Sequence, residues 1–426
     1  MIRKTVMFTL LPLCFAAWTL CAAMDPVVGE ATPLTFAQRV TFESKVLDET
    51  RTLDIFLPES FHEASPDHTY PVVLLLEGEF FLPIAGAVRH LGSVERMPDT
   101  IVVSFPTFTG NYYAPNYYLN GSNFWPKNWE RFSFDGPAEK FTAFFQRELF
   151  PYLEKHYRAN RHRTIIGTSA TAAYVFHAFC REPGLFKAHV AIAAGDFLSM
   201  GYEPGKTLID EMVRSMEKEP ERNAVLYVAS TKSDATWAPE IETNLAQLHQ
   251  KLAPYGSKNL TYLSELVDDP GHYDIVLPSF LRVVDMMFPK ERWSVNFQEM
   301  EKKKGNALQH IDAHYQALSR DLGFRMLPKA DRWNSGDCLR SSGNRLLRQD
   351  RVEEAIQVLR RWTQCRPNSP KAHMALAKAL KVAKRFKEAI STQKKAVALA
   401  KKRDAAHLDQ YQELLNSLIG KAEAHH

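Results

Sequence analysis

The chain has 426 residues, 24% of them charged and 45% hydrophobic, the composition of a folded globular protein rather than a disordered or fibrous one. Lysine and arginine exceed aspartate and glutamate by only 53 − 49 = 4, which argues against nucleic acid as the main partner. At roughly 150 residues per domain, the length suggests two or three domains.

The first 23 residues read as a secretory signal peptide. Arg3 and Lys4 form a positive start, Val6 to Leu20 is almost wholly apolar, and Cys21-Ala22-Ala23 offers small residues for cleavage. The residues before Cys21 make a poor lipoprotein signal, so a free protein in the periplasm is expected. No later stretch is apolar enough to cross a membrane, and the mature chain is expected to have no transmembrane segment. Removing the leader leaves Cys180, Cys338 and Cys365, too few for a disulfide framework and without metal-binding spacing.

Residues 33–295 alternate apolar runs with amphipathic stretches, the pattern of an α/β sheet. Arg39 to Leu47 and Arg51 to Pro58 alternate apolar and polar residues around Asp48-Glu49, as an antiparallel pair would. The strands that follow are continuous apolar runs, as strands buried on both faces must be. They are Pro71 to Leu76, Ile101 to Phe105, Arg163 to Ile166, His189 to Ala194, Ala224 to Ala229 and Leu260 to Leu266. Between them the periodicity predicts helices over Ala138 to Tyr157, Ala170 to Arg181, Lys206 to Lys218, Glu240 to Leu252 and Val276 to Phe288. The expectation is one doubly wound sheet of about eight strands.

Residues 299–426 read as helix throughout. A period of 34 residues aligns Gly343 with Ala377, Leu346 with Leu380, Glu354 with Glu388, and Ala355-Ile356 with Ala389-Ile390. Small residues where paired helices touch, with large apolar ones between, form the tetratricopeptide pattern. Helices Asn306 to Leu322 and Ala405 to Leu418 are expected to flank the two units. Within the first unit Cys338 opens one helix and Cys365 closes the next, so a bridge and a pair of buried thiols are both open readings. Lys381 to Arg403 is strongly basic, the mark of a solvated face, with contact to an acidic partner or an anionic membrane surface as the minority alternative.

Gly167-Thr168-Ser169 is the chain's only Gly-x-Ser, and it lies between a predicted strand and a predicted helix. A serine on such a turn is lifted to the sheet edge, where the next N–H, that of Ala170, can stabilise an oxyanion. The alternative is a simple helix cap. The β-branched Thr171, two after the serine, is expected to crowd the preceding strand. A serine nucleophile needs a base, and His272 follows the last strand behind Asp268-Asp269-Pro270-Gly271. The acid should follow the preceding strand; Asp234 is the choice, with Glu240 and Asp196 as lesser candidates. Gly78, Glu79 and Phe80 end another strand at the same edge and could supply a second oxyanion N–H. Phe108 to Phe134 is rich in aromatics, among them Tyr112 and Tyr113, and reads as a lid or pocket wall.

Three segments carry a family resemblance: Thr52-Leu53-Asp54-Ile55-Phe56-Leu57-Pro58, Tyr70 through Glu79, and Glu148-Leu149-Phe150-Pro151-Tyr152-Leu153-Glu154-Lys155-His156-Tyr157-Arg158. With the serine turn, they make the chain resemble the putative esterase family of α/β-hydrolases, which includes esterase D-like and siderophore esterases. Bacterial hydrolases of this group often carry tetratricopeptide-like C-terminal helices, so the resemblance spans nearly the whole mature chain. Where the family has Gly-His-Ser-x-Gly-Gly, this sequence has Gly167-Thr168-Ser169-Ala170-Thr171-Ala172, and its Arg-Asp motif is replaced by Asn111-Tyr112-Tyr113-Ala114-Pro115.

The resemblance implies a Ser169–His272–Asp234 hydrolase of small-molecule carboxylic esters that needs no metal or organic cofactor. The rival is a catalytically degenerate hydrolase fold that recruits a protein partner through its helical repeats, and Thr171 is the feature that favours it.

Overall fold

The computed structural model describes residues 34–106, 137–201, 206–256, 259–269, 271–332 and 335–424. The predicted leader and the whole aromatic-rich segment, with Tyr112 and Tyr113, lie outside the described residues. Of two compact units, Met1–Phe36 and Ala37–His426, the second carries every element of secondary structure described below.

Eight described strands form one sheet in the order β1-β2-β4-β3-β5-β6-β7-β8. They are β1 (Gln38–Ser44), β2 (Glu49–Phe56), β3 (Tyr70–Leu75), β4 (Ile101–Ser104), β5 (Ala159–Thr168), β6 (Ala188–Ile192), β7 (Ala224–Thr231) and β8 (Leu260–Val267). β1 pairs antiparallel with β2, and β2 antiparallel with β4; every other pairing is parallel. β3, β4, β6 and β7 are buried along their whole length, which is why they read as unbroken apolar runs. β8, at the edge, is only half-buried.

The interposed helices are α1 (Phe81–Ser93), α2 (Pro137–Phe144), α3 (Phe150–Tyr157), α4 (Ala172–Arg181), α5 (Leu208–Lys218), α6 (Lys232–Trp237), α7 (Glu240–Gly256) and α8 (Val276–Met287). α1 packs on α8, while α2, α4, α5 and α7 form a second chain of contacts. The parallel strands thus follow a doubly wound plan, and successive parallel strands send their C-terminal ends to one common edge. A five-residue π-helical stretch, Phe145–Leu149, joins α2 to α3, so the expected single helix is continuous but under-wound in its middle.

Beyond the sheet come α9 (Lys290–Trp293), α10 (Phe297–Lys302), α11 (Ala307–Leu322), α12 (Leu339–Arg348), α13 (Val352–Cys365), α14 (Pro370–Val382), α15 (Phe386–Arg403) and α16 (Leu408–Glu423). The 34-residue periodicity is visible in the backbone. Asp350 (φ 59°) and Lys384 (φ 58°) hold the same left-handed conformation at the turns before α13 and α15. The equivalent ion pairs Arg351–Glu354 and Arg385–Glu388 follow each turn. Cys338 and Cys365 are buried free thiols, which decides between the two open readings.

The helical region is fastened to the sheet by main-chain and ionic contacts. Ser65 N–H donates to Cys365 O and Asn368 N–H to Glu63 O, both at 3.3 Å. Arg366 meets Asp99 at 3.3 Å and Lys329 meets Glu95 at 2.5 Å. Among the described residues no helix is long and apolar enough to cross a membrane.

Candidate active site

Ser169 follows the last residue of β5 and has φ +51°, a left-handed conformation that costs a residue with a Cβ of order 1–3 kcal/mol. The surrounding turn holds it there. Gly167 supplies the room: a Cβ on it would lie 2.6 Å from Thr171 O and 2.8 Å from Ala172 N, both main-chain atoms. Ser169–Thr171 form one 3-10 turn, and α4 starts at Ala172, two residues later than the periodicity predicts.

Thr171 does not crowd the strand. The close approach falls on Gly167, and the Thr171 hydroxyl closes the turn. Its Oγ1 accepts from Thr168 N–H at 2.8 Å and donates to Thr168 O at 3.0 Å. Thr171 is 1% exposed, so the hydroxyl satisfies main-chain groups that would otherwise be buried unpaired.

His272 lies on the turn after β8, and its Nδ1 is 2.7 Å from Asp234 Oδ1. Asp234 comes from the first turn of α6, directly after β7. Thr231 N–H donates to its Oδ2 at 3.0 Å, and Asp234 N–H donates to Thr231 Oγ1 at 2.9 Å, a reciprocal cap. One carboxylate oxygen therefore anchors the helix start while the other faces the imidazole. Burial alone would push Asp234 up, but the His272 and Thr231 hydrogen bonds outweigh it and hold the group below the usual aspartate range. Of the two lesser candidates, Asp196 follows β6 and Glu240 begins α7; the hydrogen bond to His272 comes from Asp234. Burial and the charges of Asp234 and Glu240 push Asp196 up to about 6, against hydrogen bonds from main-chain N–H groups.

The end of β3 borders the serine turn. Gly78–Phe80 make a 3-10 turn before α1, and Gly78 packs so close to the β4 exit that a Cβ would fall 2.5 Å from Pro106 Cα. Ala170 is buried directly after the serine. Ser169, Asp234, His272 and the Gly78–Phe80 turn thus all lie beyond the C-terminal ends of parallel strands. The Phe80 and Tyr273 rings meet at 5.7 Å between centroids, so the loop bearing His272 packs against the loop after β3. Trp237, at the end of α6, is 88% exposed. Tyr112 and Tyr113, expected at this site, lie outside the described residues.

The sequence gives little warning of Glu77. It is 9% exposed, and burial, with the nearby Glu79 charge, pushes its carboxyl up to about 8 against a hydrogen bond with Thr171. The only available signal is its place at the end of an apolar strand. Among the described residues no group of three or more His, Cys, Asp or Glu side chains is placed to hold a metal ion.

Comparison with known proteins adds the family. Residues 44–251 match the family described as "Putative esterase", a span that contains Ser169 and Asp234 and stops before His272. No curated protein matches the sequence. Among solved structures, the chain is similar to an IroE-like serine hydrolase from Shewanella oneidensis, with 19% identity and a TM-score of 0.54 over 77% of this chain and 99% of that one. It is also similar to an uncharacterised protein from Capnocytophaga ochracea, with 15% identity and a TM-score of 0.51 over 90% of this chain and 99% of that one. At these identities the likeness is one of fold, and the second extends into the helical region. The segment 44–251, almost half of the chain, belongs to the putative esterase family of α/β-hydrolases, and the protein is a carboxylic-ester hydrolase.

Proposed function

We propose that the protein is an exported serine hydrolase that cleaves carboxylic esters through an acyl-enzyme. The observation that carries this reading is Ser169 in a left-handed turn at the end of β5, on the same sheet edge as the Asp234–His272 hydrogen bond. With Nδ1–H donating to Asp234, the imidazole keeps its Nε2 lone pair for a proton. Ser169 Oγ attacks the ester carbonyl and its proton passes to His272 Nε2. The tetrahedral oxyanion is met by the N–H of Ala170 and one from the Gly78–Phe80 turn. Collapse expels the alcohol, which takes the proton from His272. Water then repeats the sequence against the acyl-serine and releases the acid.

The exposed rings of Tyr273 and Trp237 beside this edge favour esters with an apolar group. The competing scaffold reading rested on Thr171, and a Thr171 that closes the turn no longer favours it. Export rests on Arg3, Lys4 and the apolar run Val6 to Leu20; N-terminal sequencing of the secreted protein would locate cleavage near Ala23. The 34-residue spacing of left-handed turns and Arg–Glu pairs supports two tetratricopeptide-like units in α12–α15.

The test is hydrolysis of p-nitrophenyl acetate together with fluorophosphonate labelling and peptide mapping. Wild type should hydrolyse the ester and carry the label on Ser169, and Ser169→Ala should do neither. Equal rates for the two proteins, or a label on another residue, would refute the proposal.

A further inference from the structure

A cavity of about 380 Å³ lies at the opposite edge of the sheet, between the starts of β3 and β4 and the helices α11 and α13. It reaches Thr69, Pro71 and Thr100, whereas Ser169, Asp234 and His272 follow the strand ends, one strand length or about 20 Å away. Its volume falls within the range of small-molecule sites, which favour junctions between packed parts of a chain. Phe56, Val88, Met97, Leu318, Phe324 and Met326 give it apolar walls.

Its polar groups are unevenly satisfied. Among the described residues, Trp362 Nε1, Arg366 Nη1 and His68 Nδ1 are buried and have no hydrogen-bond partner, and all three residues line the cavity. Trp362 is 1% exposed and His68 8%. Trp362 lies in the last turn of α13 and Arg366 caps that helix, its N–H donating to Trp362 O at 2.8 Å. Indole and guanidinium nitrogens can only donate. The unspent capacity is therefore mainly donor capacity, waiting for an acceptor.

The charges, in contrast, are largely spent. Four basic and five acidic side chains line the cavity, leaving no positive surplus. Asp99 takes Arg366 at 3.3 Å, Glu59 takes Arg89 at 2.7 Å, and Glu95 takes Lys329 at 2.5 Å. Burial, reinforced by Arg366, Arg158 and Arg325, pushes His68 down to about 3, so it adds no charge at neutral pH. An anion would lose its hydration here with only the exposed Lys371 outside these pairs to offset it, against an excess of carboxylates.

We propose that this cavity is a second binding site, separate from the serine, for a small uncharged molecule with a carbonyl acceptor on an apolar or aromatic body. Trp362 Nε1–H and Arg366 Nη1–H donate to the carbonyl, and the apolar walls take the body. Neither role depends on Ser169.

The probe is benzamide, titrated into protein with ¹⁵N-labelled tryptophan, with and without prior sulfonylation of Ser169. The Trp362 indole resonance, identified by its loss in Trp362→Phe, should move saturably in both samples. By calorimetry, Arg366→Gln should bind benzamide at least tenfold more weakly, which keeps the test decisive if Trp362→Phe does not fold. Benzoate should bind at least tenfold more weakly than benzamide to the wild type. No saturable binding up to the solubility of benzamide would mean that the cavity holds only water, and would overturn the proposal. So would unchanged affinity in Arg366→Gln, loss of binding on sulfonylation, or tighter binding of benzoate. If Ser169 proves unreactive, binding of benzamide is still expected, so the two proposals fail separately.

Discussion

Replacing Thr171 with valine keeps the shape of the side chain and deletes its hydroxyl. Two hydrogen bonds to Thr168 go, at 2.8 Å from its N–H and 3.0 Å to its O, together with the hydrogen bond to Glu77. Thr168 is 2% exposed, so its N–H finds no water in exchange. Stranding such a donor costs about 1–3 kcal/mol, and a value of about 2 kcal/mol is expected here. The same bonds hold Ser169 in its left-handed conformation, so the turn should relax once they are lost. Misplacing a reacting group by about 1 Å can cost about 100-fold in rate. A fall in kcat of about 10- to 100-fold, with a smaller change in KM, is the corresponding expectation. Thr171→Ser retains the hydroxyl and should stay near wild type. The assay is p-nitrophenyl acetate hydrolysis beside urea unfolding of all three proteins. A valine variant with wild-type kcat and unfolding midpoint would refute the reasoning, as would a serine variant as impaired as valine.

Glu77→Gln tests the buried carboxyl. Its folded pKa of about 8 lies above the ordinary 4.5, so the native state keeps a proton that the unfolded chain has lost between those values. Glu77 therefore contributes stability below pH 4.5 that is lost as pH rises toward 8. The difference in unfolding free energy between Glu77→Gln and wild type should grow across that window, by on the order of a few kcal/mol, and then level off above it; a difference independent of pH would contradict the assignment. Asp234→Asn can still accept from Thr231 N–H but presents an amide N–H to His272 Nδ1 and so reverses the tautomer. Its kcat should fall on the order of 10²- to 10⁴-fold while its melting temperature changes little. Gly343→Ala places a Cβ 2.5 Å from Leu359 Cγ and Cδ2, and chemical denaturation should show a loss of about 1–3 kcal/mol with kcat unchanged.

The strands were legible because burial on both faces demands unbroken apolar runs, and β3 and β7 show it most plainly. β5 shows the limit of that signal. It begins at Ala159, four residues before the expected Arg163, because its early positions are polar. Arg163 is nevertheless buried there, paired with Glu154 at 2.6 Å and stacked 3.8 Å over the Phe150 ring, partners no local pattern reveals. The positions of Ser169, Asp234 and His272 followed from strand order, and the Thr231–Asp234 cap is readable in the sequence. The burial of Glu77 and the closing role of Thr171 are not. Both depend on how closely the β3 exit approaches the serine turn, a distance set by the assembled sheet.

The main-chain bonds joining residues 63–65 to 365–368 bear on how this protein can be divided. A chain cut after residue 295 would leave Ser65 N–H without its acceptor and uncover the wall against which Trp362 is sealed. The C-terminal helices are therefore not a tail that can be trimmed or grafted at will. They complete the floor of the hydrolase, and any shortened or chimeric version would have to rebuild that floor before its chemistry could be judged.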